Sequence, residues 1–173
     1  SNRTEEPDSN YTDDIWVVRA EVGSELVQVT RGAGTDASPA WSPDGKSIAH
    51  TSVIDVAAML YATAHLAVTP ADGGETRLLV GKLDRNAFEP SFSPDGKHVW
   101  FLLEDSGEQN LARVRASGGE VERVVKGQDV VYGYDVGPRG RVATLVSRPQ
   151  LPSEVFLLDD GELSQRSFAN RGM

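Results

Sequence analysis

The chain has 173 residues, 39% of them hydrophobic and 25% charged, which is ordinary for a soluble globular protein and enough for one substantial core. It has no cysteine, so disulfides, thiolate catalysis and cysteine-ligated zinc or iron–sulfur sites are excluded, while the redox compartment stays open. A net charge of −9 without any Lys/Arg run argues against a nucleic-acid ligand, and no stretch approaches the roughly 18 apolar residues of a membrane span.

Residues 1–13 are polar and acidic, start without Met and show no signal peptide. They read as an end segment and loop, with any targeting signal of a longer parent cut away. The compartment therefore stays open, a soluble protein of cytoplasm or periplasm. Asp14–Arg19 reads as a strand, Gly23 as a turn and Leu26–Thr30 as the return strand. After a Gly/Ala/Asp loop come a short strand Pro39–Trp41, the turn Ser42-Pro43-Asp44-Gly45-Lys46 and the strand Ser47–Val53. Residues 54–60 have helix-forming Ala, Met and Leu but read as a loop leading into the strand Leu66–Pro70, because a turn at Gly73-Gly74 and a return strand Thr76–Val80 follow. The pattern then restarts: Glu89–Phe92, the turn Ser93-Pro94-Asp95-Gly96-Lys97, His98–Glu104, Leu111–Arg115, a turn at Gly118-Gly119 and Val121–Val125. His98–Glu104 is apolar almost throughout, as a strand covered on both faces should be. A worn third copy runs Val130–Val136, Gly137-Pro138-Arg139-Gly140, Arg141–Ser147, Glu154–Asp159, Asp160-Gly161 and Leu163–Ser167.

The turn chemistry explains the repeat. Pro presets φ, Asp suits the next position and Gly takes the left-handed one, which joins antiparallel strands through a three-residue loop. Ser42 and Ser93 lie 51 residues apart and Gly137 another 44 on. Gly45 to Gly73 spans 28 residues where Gly96 to Gly118 spans 22, so an insertion of about six residues sits near 54–60. Four antiparallel strands repeating every ~40–45 residues are the mark of a β-propeller blade. The expected fold is all-β, a partial propeller of about three and a half blades: a half-blade over 14–30 and blades over 39–80, 89–125 and 130–167, with 168–173 leading out. A β-sandwich would not reuse one turn in one context. A portion of a larger ring leaves edges open, so a homodimer or strand swap is expected.

The phrases "SPAWSPDGKSIAHTS" (38–52), "PSFSPDGKHVWFL" (90–102) and "ADGGETRLLV" (71–80) resemble the blade repeats of TolB-like propellers. The end, "LVSRPQLPSEVFLLDDGELSQRSFAN" (145–170), resembles the last propeller blade of the prolyl oligopeptidase family of serine peptidases, in its acylaminoacyl-peptidase-like branch. Pro152, Glu154, Val155, Phe156, Leu157, Leu158, Asp159 and Asn170 fit that pattern, while Ser167-Phe168 departs from its usual ending. The resemblance implies a non-catalytic segment that gates peptide substrates and supports an α/β-hydrolase domain lying outside these residues. The alternative is a TolB-like interaction scaffold without an enzyme. A sugar-processing propeller would need convergent acids or metal ligands, which the sequence does not offer.

No catalytic, cofactor or metal residue is assigned. A nucleophile elbow, Gly-x-Ser-x-Gly, is absent from the sequence. His50, His65 and His98 are isolated, and His50 and His98 read as strand residues. Asp44 and Asp95 are explained by their turns. Asp13-Asp14, Glu104-Asp105 and Asp159-Asp160 sit at strand ends. Trp16, Trp41 and Trp100 fall on strands, and Trp41 and Phe92, at equivalent repeat positions, are expected between blades. The Gly-Gly pairs lack the Gly-Lys-Ser/Thr of a phosphate loop. The stretch 54–68, with Val56, Ala57, Ala58, Met59 and Leu60, is the best non-structural candidate, a rim insertion able to contact a neighbouring domain or protomer.

Overall fold

The computed structural model describes residues 1–10, 12–81 and 83–171. Fourteen strands follow one another with no α-helix among the described residues. They are β1 (Trp16–Val17), β2 (Val27–Gln28), β3 (Asp36–Trp41), β4 (Ser47–Val53), β5 (Ala64–Pro70), β6 (Arg77–Leu78), β7 (Ala87–Phe92), β8 (His98–Asp105), β9 (Glu108–Arg115), β10 (Glu122–Val125), β11 (Val130–Val136), β12 (Val142–Arg148), β13 (Leu151–Asp159) and β14 (Glu162–Gln165). They form a two-stranded sheet, β1-β2, and three four-stranded sheets, β3 to β6, β7 to β10 and β11 to β14. Every pairing is antiparallel and joins sequence neighbours, and no sheet closes on itself. This is the architecture of a partial β-propeller.

The hydrophobic core lies between sheets. One cluster joins Ala49, Leu66 and Val68 to Val99, Phe101, Leu103, Ala112 and Val114. The next joins Trp100, Leu102 and Leu111 to Val131, Val142, Val146, Phe156 and Leu158. A smaller one joins Ile15 and Val29 to Ile48. The middle sheet is thus covered on both faces, and β8 is buried almost end to end, as its unbroken apolar run requires. In β12 buried and exposed residues alternate, because only one face of the last sheet has a neighbour.

The two Ser-Pro-Asp-Gly turns are one residue longer than expected. Ser42 N donates to Ser47 O at 2.8 Å and Ser93 N to His98 O at 2.9 Å, so the loops are Pro43–Lys46 and Pro94–Lys97. The extra residue is held by the carboxylate of Asp44 or Asp95, which accepts from Lys46 N or Lys97 N at 3.1 Å. Gly45 (φ 68°) and Gly96 (φ 69°) take the left-handed position. Only the third copy, with Gly137 N donating to Arg141 O at 2.8 Å, has the three-residue loop. The first strand of each full sheet bulges, between Ala37 and Ala40, Phe88 and Ser91, and Val131 and Gly133.

Two connections also differ from expectation. The 54–60 stretch holds a 3-10 turn, Val56–Tyr61, before β5 begins at Ala64, two residues earlier than read from sequence. Asp55 starts that turn, its carboxylate accepting from Ala57 N at 3.1 Å and Ala58 N at 3.3 Å. The proline-bearing segment after β12 is a tight hairpin, with Pro152 already inside β13.

Candidate functional site at the rim where the chain leaves the last sheet

Up-and-down sheets sort their connections onto two rims. The turns between first and second strands and between third and fourth strands share one rim. The turns between second and third strands and the links from sheet to sheet share the other. The 54–61 stretch, the Ser106-Gly107 turn, the Pro149-Gln150 turn and the segment after β14 therefore lie on one rim.

Glu154 organises that segment. Its side chain is buried (2% exposed) and both carboxylate oxygens are taken. Oε1 accepts from Asn170 N at 2.8 Å and Asn170 Nδ2 at 3.0 Å. Oε2 accepts from Ala169 N at 3.2 Å and from the Ser167 hydroxyl in a short contact. The Ser167 hydroxyl in turn accepts from Val155 N at 2.8 Å, and Arg166 N and Ser167 N both donate to Val155 O, at 2.7 and 3.2 Å. The hydrogen bond from Ser167, then that from the Asn170 amide, holds the Glu154 carboxyl below its ordinary range.

On the same rim Ile54, Val56 and Tyr61 (95% exposed) present apolar surface. The side chains of Met59 and Leu60 lie outside the described residues. The stretch is fastened at both ends. Asn86 Oδ1 accepts from Ala64 N at 2.9 Å while Asn86 Nδ2 donates to Glu104. Val53 N donates to Thr35 O at 2.9 Å, and the Val53 carbonyl passes so close to Gly34 that a Cβ there would lie 1.7 Å from it. Asp105, at the end of β8, gathers Arg85 at 2.6 Å and Arg123. The hydrogen bond from Arg85 is the main cause of its lowered pKa. Arg148 pairs with Asp129 at 2.6 Å and lies over the Phe156 ring.

The opposite rim carries a groove of about 440 Å³ between the two Ser-Pro-Asp-Gly turns, lined in part by Asp44, Arg77, Phe92 and Asp95. Both aspartates are engaged within their own turns, Asp44 Oδ1 accepting from Ser42 Oγ and Asp95 Oδ1 from Ser93 Oγ, each at 2.6 Å.

The histidines separate. His50 is wholly buried, with Nε2 2.9 Å from Thr69 Oγ1 and Nδ1 3.4 Å from Asp36 Oδ1. Thr69 Oγ1 continues to Thr76 Oγ1 at 2.8 Å. The acid, base and hydroxyl lie close together, but His50 Nδ1 is nearer the Thr51 carbonyl, at 3.2 Å, than Asp36, and Thr69 is fully buried, so no substrate reaches it. Sequence reading missed Asp36 as the partner of His50. The hairpin register, which pairs Asp36 with Ser52, was the signal that brings them together. His65 and His98 are half-buried strand residues. Among the acid pairs, Asp14 accepts from Gln28 Nε2 and Asp159 from Arg141. Trp16 lies under Arg3, and Trp100 is buried between sheets with Arg113 over its ring. Phe92 packs against the core between the first two full sheets. Trp41 does not: it is 52% exposed, because the sheet before it has two strands where Phe92 meets four.

No protein-family model matches the chain. Curated relatives match parts of it. An uncharacterized protein of Agrobacterium fabrum, Atu1656, is 34% identical over 93 residues, 54% of this chain and 28% of that protein. The uncharacterized peptidase YuxL of Bacillus subtilis is 33% identical over 99 residues, 57% and 14% of the two chains. The Tol-Pal system protein TolB of Bordetella pertussis is 31% identical over 143 residues, 60% and 32%. The chain thus spans at most about a third of the curated relatives it matches. Among solved structures, the acylaminoacyl peptidase of Pyrococcus horikoshii superimposes with a TM-score of 0.70 at 22% identity, covering 91% of this chain and 23% of that one. The β-propeller domain of the Trilobed protease from Pyrococcus furiosus, described as having an open velcro topology, gives 0.68 at 22% identity, covering 91% and 46%. The chain is therefore similar in fold to TolB-like propellers and to the propeller domains of acylaminoacyl peptidase and related peptidases.

Proposed function

We propose that this chain is a non-catalytic propeller segment of a serine peptidase of the prolyl oligopeptidase family. It gates peptide access to an α/β-hydrolase domain outside these 173 residues and supports that domain. The likeness to peptidase propellers supports the class. The observation that carries the supporting role is the shared rim: the segment after β14 leaves on the same rim as the connection that includes the exposed Ile54, Val56 and Tyr61. An apolar insertion on the rim where the chain departs is a ready surface for the domain that follows.

The test is made on the full-length protein. A fluorophosphonate probe is expected to label one serine downstream of residue 173, inside a Gly-x-Ser-x-Gly elbow. Deleting residues 54–59 is expected to weaken packing of the two domains, read as a separate, earlier unfolding transition. Labelling without any effect of the deletion removes the docking role. The relative TolB supports a second reading, an interaction propeller with no enzyme attached, and absence of labelling together with absence of the elbow decides for it.

A further inference from the structure

We propose that Glu154 is a positioning residue, an anchor that fixes the path of the polypeptide leaving the last sheet. The pairings Trp41 to Ile48, Phe92 to Val99 and Val136 to Val142 place the three full sheets in one register. In that register His65, Asn110 and Glu154 are equivalent positions on the third strands, opposite Ser52, Leu103 and Val146. The position is polar in each sheet, but only in the last does it carry a carboxylate, and there it gathers four donors from Ser167, Ala169 and Asn170.

The difference follows from what comes next. After β6, Leu79 N donates to Leu66 O at 2.9 Å, and the link then reaches β7, so both of its ends are tied to strands. After β14, Arg166 N makes the equivalent bond to Val155 O at 2.7 Å, but residues 166–170 pair with no further strand among the described residues. A segment that no second strand holds frays unless side chains fix it. Charge-assisted bonds to a buried carboxylate supply that hold, and the two from backbone amides come from the consecutive residues Ala169 and Asn170, so they set direction as well as attachment. Asn170 Nδ2, also 3.4 Å from Ser153 O, closes the clasp at its far end.

Hydrogen exchange on this chain tests the anchor without reference to any attached domain. In Glu154→Gln the side chain keeps its shape but turns a carboxamide NH2 toward donors, and the amides of Ala169 and Asn170 are expected to exchange at least about tenfold faster. The amide of Arg166, bound to Val155 O, and the core amides of Val146 and Phe156 serve as internal controls and are expected to hold. Ser167→Ala, which removes one donor and leaves the carboxylate, is expected to give an intermediate effect. Unchanged exchange at Ala169 and Asn170 in Glu154→Gln overturns the proposal. So does acceleration spread equally over β12 and β13, which would make Glu154 a general stabiliser of the sheet. In a full-length protein the same variant is expected to broaden the distance distribution between spin labels on the last sheet and beyond residue 173. That arm rests on the peptidase reading, and its failure beside a positive exchange result counts against that reading alone.

Discussion

Asp44 and Asp95 show how much a turn asks of one carboxylate. Each accepts from a serine hydroxyl, the larger cause of its lowered pKa, and then from a lysine amide, and so lies below the ordinary value of 3.8. A carboxyl with a depressed folded pKa stabilises above its unfolded value, and that contribution is lost as pH falls through the folded one. The double variant Asp44→Asn/Asp95→Asn is therefore expected to flatten the fall of Tm on acidification below about pH 4, and an acid limb as steep as the parent's would refute the assignment. The aromatic residues give a second contrast. Trp41→Ala at its half-exposed site is expected to change stability by no more than about 0.5 kcal/mol, whereas Phe101→Ala, fully buried, is expected to cost about 3–5 kcal/mol in denaturant melts. The roles of Asp44 and Asp95 were legible in the sequence because turn chemistry is local. The partners of His50 and Glu154 were not, since each is a contact between strands or beyond a strand end, and such contacts follow from register.

At the scale of elements, the strands and their order could be read because Gly and Pro punctuate short apolar runs. What escaped was length: the residue added to two turns, the 3-10 turn capped by Asp55 and the early start of β5 and β13. These depend on where hydrogen bonds close, which composition does not specify. Gly34 belongs here as well. Its backbone is not left-handed, and its need is space against the Val53 carbonyl. Gly34→Ala is expected to destabilise by about 1–3 kcal/mol or more, and to loosen the connection between β4 and β5 first, seen as faster exchange at Ala64. A neutral substitution would mean that the two backbones separate freely.

At the scale of the whole molecule, the last sheet presents a face that its predecessors cover. Leu145 (39% exposed) and Val155 (43%) stand where Leu102 and Leu111 stand in the middle sheet, and those two are buried under the next sheet. In solution this face is expected to draw copies together. Light scattering should show mass rising with concentration, and Leu145→Asp should return a monomer; a clean monomer of the parent at high concentration contradicts it. The antiparallel order of the sheets has a further consequence, in time. Since each strand among the described residues pairs only with its neighbour along the chain, none of the three four-stranded sheets waits for a distant segment, and every pairing in them closes a short loop at small entropic cost. Sheets can zip in the order in which a ribosome releases them, and the slow event becomes the docking of each finished sheet on the one before, where the core residues meet.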